Sequence, residues 1–380
     1  MSSWSFYNPT RIIFGENVLD SIGSIVDGER MAVVTTPGFR KRGMVDRIEG
    51  MMNDRIKIVL DVVSSYPSLE SIDALRGVDG LDALDAIVAL GGGSSIDMGK
   101  ALSRLASSAR DEHPSGNLWD IVNQDGIADI PVIAVPTTAG TGSEVTPTAT
   151  VWDYQNRIKR SLSGDDLFPK VAIVDPVLTH DLPVSLTVSS GLDAISHALE
   201  SIWNRNASPI SLAVATQSLR FSLHALPRLK ADCSDYEART HMMQASLMAG
   251  MAISQTRTAL SHSLSYPLTM EFGIPHGVAC SFALPEILGF NLMSDDGRLE
   301  RLATEIGFES VDGLEYRLRE LLESSLSPLE PFSSLSCNDL TEDLVNRMYA
   351  KGRLENNLRD VDSGDLIQIL RDALDRYGVR

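Results

Sequence analysis

"AIVALGGGSSIDMGKALSRL", Ala86 to Leu105, passes from an apolar run through three glycines and two serines into a helix-like segment. An unbroken apolar run of this length reads as a strand buried on both faces of a parallel sheet. Consecutive glycines let the backbone approach a ligand closely, and the exposed N–H groups of the following helix form a site for a pyrophosphate. The pattern is not the common dinucleotide fingerprint, because after Gly91 and Gly93 the third glycine position holds Ile96. No Gly-Lys-Ser/Thr follows, so it is not a P-loop either. The competing reading of these residues is a tight strand-to-helix turn without a ligand.

Outward from this stretch, "RMAVVTT", "IKIVLDVV", "IPVIAVPTT" and "KVAIVDP" read as further strands, with amphipathic segments such as Asp97 to Arg110 between them. Such alternation predicts an α/β nucleotide-binding domain. "PTTAGTGSEVT", Pro136 to Thr146, also follows a strand and is crowded with small and hydroxyl-bearing residues. Two such loops at adjacent strand ends point to a dinucleotide. Beyond about residue 180 the pattern turns helical, with predicted helices over Ser190 to Trp203, Ser211 to Lys230 and Tyr236 to Gln255. Pro183 in "THDLPVSL" marks the boundary. The expected organisation is an α/β dinucleotide-binding domain over 1–182 and an all-helical metal-binding and substrate domain over 183–380. "LLESSLSPLEPFSSLSCNDLTED" reads as a surface connection between C-terminal helices.

The composition narrows the function. Among 380 residues, 51 are acidic and 33 basic, a net charge of -18. A chain this acidic repels phosphate backbones and anionic membranes, so neither nucleic acid nor a membrane is an expected partner. An anionic substrate would need a local positive group. Cys233, Cys280 and Cys337 are odd in number and lack CxxC spacing, which argues against a disulfide framework or a thiolate zinc site. The first residues carry no signal-peptide pattern and no run of 18 apolar residues occurs, so a cytoplasmic location is expected.

"SSGLDAISHALESIW" puts Asp193 and His197 four residues apart, on one face of a helix. By itself that is an ordinary surface pair. His262 lies among small and apolar residues, where an unpaired imidazole needs a reason, and His276 sits in "GIPHGVAC". Each alone is a satisfied core histidine. Together the four offer a carboxylate and three imidazoles, a nitrogen-rich set suited to Fe(II) or Zn(II). Cys280 reads as a buried small hydrophobe. His113, His180, His224 and His241 have no comparable settings.

"GGGSSID", "PTTAGTGSE", "GLDAISHALE" and "HSLSYPLTMEFGIPHG", in this order and at these separations, resemble the iron-containing (group III) alcohol dehydrogenase family. The resemblance spans essentially the whole chain. It implies an N-terminal nucleotide domain and an all-α C-terminal domain, the dehydroquinate synthase-like architecture, with a metal-bearing cleft between them. It also implies Fe(II), sometimes Zn(II), with NADH or NADPH, and often a homodimer. By motif, Asp193, His197, His262 and His276 resemble the metal ligands, and Gly92, Gly93, Ser94 and Asp97 the pyrophosphate loop. Thr137, Thr138, Thr141 and Ser143 resemble the loop around the adenine and nicotinamide ends, while Lys159 and Leu178 fall where the family contacts the cofactor. The implied chemistry is hydride transfer between nicotinamide and a carbonyl carbon.

Three departures refine this expectation. Where the family commonly has a second histidine four residues after the metal-binding one, this chain has Tyr266; its hydroxyl relays the alcohol proton or only shapes the pocket, and a phenol is a poorer base than imidazole near neutral pH. Arg257, with Thr258, precedes His262 by about a turn, and its planar fork suits phosphonate, sulfonate or carboxylate oxygens. Thr148 and Thr150 would add hydroxyls to the same lining. "HSLSYPLT" is similar to the phosphonoacetaldehyde reductase branch, so the expected substrate is a small anionic aldehyde, reduced to its primary alcohol. The competing reading of Arg257 is an ion pair with an acidic residue. Finally, Thr36 stands where NAD-preferring relatives often have an aspartate, and Arg40 or Lys41 can then pair with a 2′-phosphate, which leans towards NADPH. The alternatives are a general short-chain alcohol dehydrogenase, a sulfoacetaldehyde reductase, a dehydroquinate synthase-like lyase or a non-catalytic nucleotide-binding protein.

Overall fold

The computed structural model describes residues 3–63, 66–110, 117–124, 126–127, 130–156, 158–326, 332, 335, 339–349 and 352–379. His113, Cys337 and part of the expected Ser/Pro-rich connection lie outside the described residues, while its two ends belong to the helices Val311–Leu326 and Glu342–Met348. Two compact units emerge: Asn8–Thr138 with Gly142–Asp181, and Leu182–Arg380 with Met1–Tyr7 and Ala139–Thr141.

The first unit is built on a parallel sheet. Its strands are β1 (Arg11–Phe14), β2 (Met31–Val34), β3 (Ile56–Leu60), β4 (Ala86–Gly91), β5 (Val132–Pro136) and β8 (Val171–Val174), in the order β1-β8-β5-β4-β2-β3. Two more strands, β6 (Thr148–Asp153) and β7 (Ile158–Ser163), form an antiparallel hairpin. Every residue of β2, β4, β5 and β8 is buried, as continuous apolar runs require. Successive residues point to opposite faces. Ala32, Val34 and Ile87 join one apolar layer with Met98, Leu102 and Leu105, while Met31, Val33, Val88 and Leu90 join another with Leu19, Ile22, Ile48 and Met52. The five strands read from the sequence are present. β1 and the hairpin were missed, because four residues between Pro9 and Gly15 carry little periodicity and the alternation in "IKRSLS" is weak.

Helix α1 (Gly93–Ser108) follows β4 directly. Gly99 explains how closely it lies on the sheet, since a Cβ there would come within 2.8 Å of the Ala89 Cβ. The task usually given to the third fingerprint glycine therefore falls one turn later than Ile96.

The second unit is helical, with no strand among its described residues. Its central helices are α2 (Val184–Ile202), α3 (Pro209–Ala231) and α4 (Tyr236–Thr256), followed by α5 (Leu260–Phe272) and the single-turn α6 (His276–Ala279). Ser208 and Ser211 cap the start of α3 reciprocally, and Asp235 caps α4 by accepting from Ala238 N. The α/β-plus-all-α architecture expected from the sequence is the one observed.

Candidate metal centre and nucleotide loops

Asp193 and His197 share the buried face of α2, one turn apart. His262 enters from the first turn of α5, and His276 opens α6 directly after Pro275. Three elements thus bring the four side chains together. Around Asp193 Oδ1 lie His262 Nε2 at 3.5 Å, His197 Nε2 at 3.8 Å and His276 Nε2 at 4.0 Å. Four donors on a divalent ion at ordinary bond lengths stand about 3.4 Å apart, so these spacings suit an ion within the set. The imidazoles of His197 and His262 stack at 4.6 Å, and His276 meets His262 edge-on at 5.5 Å.

The electrostatics ask for a cation. Among the described residues, His262 Nε2 and His197 Nδ1 are buried without a hydrogen-bond partner. Burial pushes the Asp193 carboxyl up, but the three imidazoles outweigh it and hold the group well below the usual carboxylate range. His197 is pushed down, chiefly by burial. Burial likewise acts to lower His262, yet Glu200 and Asp193 together lift it far above the ordinary imidazole value. Without an ion, the carboxylates draw a proton onto His262. A divalent ion answers the same demand and leaves the imidazole nitrogen as a donor.

Glu200 is the residue that sequence reading missed. It is fully buried on α2, accepting from His262 Nδ1 at 2.7 Å and from His262 N at 3.1 Å. This bond fixes the ring and turns Nε2 towards Asp193, as the carboxylate–histidine pairs of metal sites do. The signal was present in the sequence: Glu200 lies one turn beyond His197, on the same helix face.

Cys280 approaches more closely than expected. Its Sγ donates to Asp193 Oδ1 at 3.3 Å, and with Asp193, His262 and His276 it forms a set of donor atoms all within 4.8 Å of one another. Burial, helped by the neighbouring Asp193 charge, pushes its thiol up. A neutral thiol is a donor to Asp193 and a poor ligand, so Asp193, His197, His262 and His276 make the better set.

Tyr266 stacks on His276, ring centres 5.9 Å apart and planes 9° apart. Arg257 adopts φ 64° and ψ 171°, a left-handed conformation unusual for a residue other than glycine. Its amide donates to Ile253 O, and its carbonyl accepts from the Asn204 side chain at 3.1 Å. The exposed guanidinium makes no ion pair among the described residues, so pairing with a carboxylate does not explain it. It lines a hollow of about 770 Å³ with Trp4, Arg205, Pro209, Gln255 and Asn356, and none of the four metal-ligand candidates lines that hollow. Thr258 O accepts from Asn356 Nδ2 at 2.9 Å. His180, His224 and His241 stand away from the centre: His180 lies beside Asp181, His224 beside Arg228 and His241 against Phe221.

In the sheet unit, Gly91 pairs with Pro136, so the loops after β4 and β5 start side by side. The strand order reverses between β4 and β2, which is where open α/β sheets bind ligands. The N-terminus of α1 has no side-chain cap, as anion binding requires. A Cβ on Gly92 would stand 3.1 Å from Thr138 Oγ1, so the glycine lets the two loops close on each other. Gly93 and Ser94 form the first turn of α1, and Thr137 N donates to Gly91 O. Thr141 belongs to the stretch that groups with the helical unit.

Asp97 is committed within the protein. Its carboxylate accepts from Ser143 Oγ at 2.6 Å and Thr150 N at 2.8 Å. Next to it, fully buried Lys100 donates to the carbonyls of Ser143, Thr146 and Thr148. These bonds hold the second loop to α1 and to β6, where Thr148 is exposed and Thr150 half-buried. Lys159 on β7 lies 6.0 Å from the Trp152 ring and acts on the Asp97 charge. Leu178 packs against the apolar layer around Val33 and Ile173. Thr36 precedes the short helix Pro37–Lys41, in which Arg40 pairs with Asp61 at 3.6 Å, so this arginine is already matched.

With this geometry in hand, the comparisons are concordant. Residues 9–176 match the model of iron-containing alcohol dehydrogenases, and residues 187–374 that of the Fe-containing alcohol dehydrogenase family, C-terminal. The chain belongs to the iron-containing alcohol dehydrogenase family and is an oxidoreductase. An NAD-dependent methanol dehydrogenase of Bacillus methanolicus is 31% identical over 320 residues, 82% of this chain and 81% of that protein. An NADPH-dependent butanol dehydrogenase of Clostridium saccharobutylicum is 30% identical, covering 83% of each. Among solved structures, a sulfoacetaldehyde reductase from Bifidobacterium kashiwanohense in complex with NAD+ superposes with a TM-score of 0.87 at 29% identity, covering 98% of this chain and 99% of that one. No helix among the described residues is long and apolar enough to cross a membrane.

Proposed function

We propose that this protein is a metal-dependent, NAD(P)H-linked reductase of small aldehydes, and that its substrate is anionic, phosphonoacetaldehyde or sulfoacetaldehyde in kind. The observation that carries the reaction class is the ring of three imidazole Nε2 atoms around Asp193 Oδ1, braced by Glu200. Asp193, His197, His262 and His276 would hold a divalent ion, which would supply Lewis acidity at a carbonyl oxygen. Gly92, Gly93 and Ser94 would hold the pyrophosphate of a nicotinamide cofactor, which would supply the hydride.

The chain's own residues do the rest. Glu200 orients His262, and the buried faces of α2 and α5 keep water from the donor atoms. Tyr266, stacked on His276, places a hydroxyl-bearing ring beside the ligands and is the group proposed to hand on the alcohol proton. The anionic substrate is supported by Arg257 and Arg353, which have no acidic partner among the described residues of a chain with net charge -18, and by the likeness to a sulfoacetaldehyde reductase. Fe(II) is favoured by the family, and relatives of both cofactor preferences occur. A homodimer in the cytoplasm completes the reading.

The test is anaerobic NADPH and NADH oxidation by Fe(II)-loaded protein, with phosphonoacetaldehyde and sulfoacetaldehyde set against propanal. Preference for the charged aldehydes is the expected outcome. Preference for propanal would leave a general short-chain alcohol dehydrogenase, a reading favoured by the methanol and butanol dehydrogenase relatives.

A further inference from the structure

Half-buried Arg353 lies in the chain between the helices Glu342–Met348 and Ser363–Arg376, and its guanidinium carbon lies 4.3 Å from the centre of the Tyr266 ring. Tyr266 in turn stacks on His276, one of the four side chains around Asp193 Oδ1. Laid end to end, the two spacings put the guanidinium at most about 10 Å from the His276 ring centre. Among the described residues this guanidinium makes no hydrogen bond or ion pair, although acids outnumber bases by 51 to 33 in the chain. Other arginines here are matched: Arg104 with Asp166, Arg228 with Asp235 and Glu237, Arg376 with Glu286.

Stacking employs only the face of a guanidinium. The N–H donors lie in its plane and stay available at its edge, in the fork that fits a phosphonate, sulfonate or carboxylate. An arginine held this way is pre-oriented, so an arriving anion orders little more of the side chain. Arg257, by contrast, opens into a hollow that none of the four ligand candidates lines.

We propose that Arg353 is the specificity-determining residue of this enzyme: its guanidinium, held on the Tyr266 ring beside His276, binds the anionic group of a short aldehyde whose carbonyl faces the metal ligands. The proposal rests on the anionic-aldehyde reading above and replaces Arg257 by Arg353 as the group that holds the charge.

The experiment compares Fe(II)-loaded wild type with Arg353→Ala, Arg353→Lys and Arg257→Ala, using sulfoacetaldehyde and propanal with saturating reduced nicotinamide. Losing a charge-assisted, two-pronged contact lowers the ratio of kcat/KM for sulfoacetaldehyde over propanal about 100-fold in Arg353→Ala, mainly through KM. Arg353→Lys restores part of the ratio, and Arg257→Ala changes it little. As a second readout, calorimetric binding of 2-hydroxyethanesulfonate weakens in Arg353→Ala, while iron content per chain stays at the wild-type level and shows the centre intact. An unchanged ratio and unchanged 2-hydroxyethanesulfonate binding in Arg353→Ala, with wild type still preferring sulfoacetaldehyde, overturns the role of Arg353 alone. Wild type without that preference overturns the anionic reading and this proposal together.

Discussion

Glu200 shows how much one buried carboxylate sets at the residue scale. It touches no reacting atom, yet its bond to His262 Nδ1 decides which imidazole nitrogen faces Asp193. Glu200→Gln keeps the shape and removes the charge, and should weaken Fe(II) or Zn(II) binding about 10- to 100-fold, measured by competition with a chelator. Glu144 offers a second residue-scale prediction. It is almost fully buried, Oε1 has no partner among the described residues, and burial raises its carboxyl from 4.5 to about 7, only partly opposed by hydrogen bonding and Lys100. Between those values the folded state binds a proton that the unfolded chain has lost, so stability falls as pH rises through this window and stays low above it. The shift corresponds to about 3 kcal/mol. Glu144→Gln should therefore flatten the fall in denaturant midpoint between pH 5 and pH 8. An unaltered pH profile would count against the buried carboxylate as its cause.

At the scale of elements, the junction between α4 and α5 is strained. Arg257 holds a backbone conformation that glycine adopts freely, and such residues cost of order 1–3 kcal/mol. Arg257→Gly should raise stability by about 1 kcal/mol in urea unfolding, after allowing for the greater freedom of glycine in the unfolded chain. A loss of stability instead would mean that the guanidinium itself contributes to the fold. The opposite sign is expected at Gly99, where the strand–helix contact leaves no room for a methyl group. Gly99→Ala should cost about 1–3 kcal/mol by overpacking α1 against β4, and should weaken nicotinamide cofactor binding because the same helix presents the proposed phosphate loop.

At the scale of the whole molecule, a bound metal would link local chemistry to stability. Asp193 and Glu200 are buried negative groups whose counter-charge is supplied by His262 when no ion is bound. An ion at a hundred times its dissociation constant adds about 2.7 kcal/mol to the folded state. Chelation should therefore lower the melting temperature of the helical unit by about 5–10 °C in scanning calorimetry, while the transition of the sheet unit moves less.

The fold was legible in the sequence because its signals are local. Continuous apolar strands, glycine-rich turns and amphipathic helices each act within a few residues, and "AIVALGGGSSIDMGKALSRL" carries a strand, a turn and a helix start in one stretch. The metal-ligand candidates were legible through motif and residue type. Other features were decided only by tertiary structure. The partner of His262 is 62 residues away, Asp97 bonds to a loop and a strand about 50 residues on, and Arg353 reaches Tyr266 across 87 positions. Periodicity and composition record which residues will be buried or exposed. They do not record which buried charges meet, because pairing depends on how separate elements pack, and it is this packing that joins Glu200 to His262 and Arg353 to Tyr266.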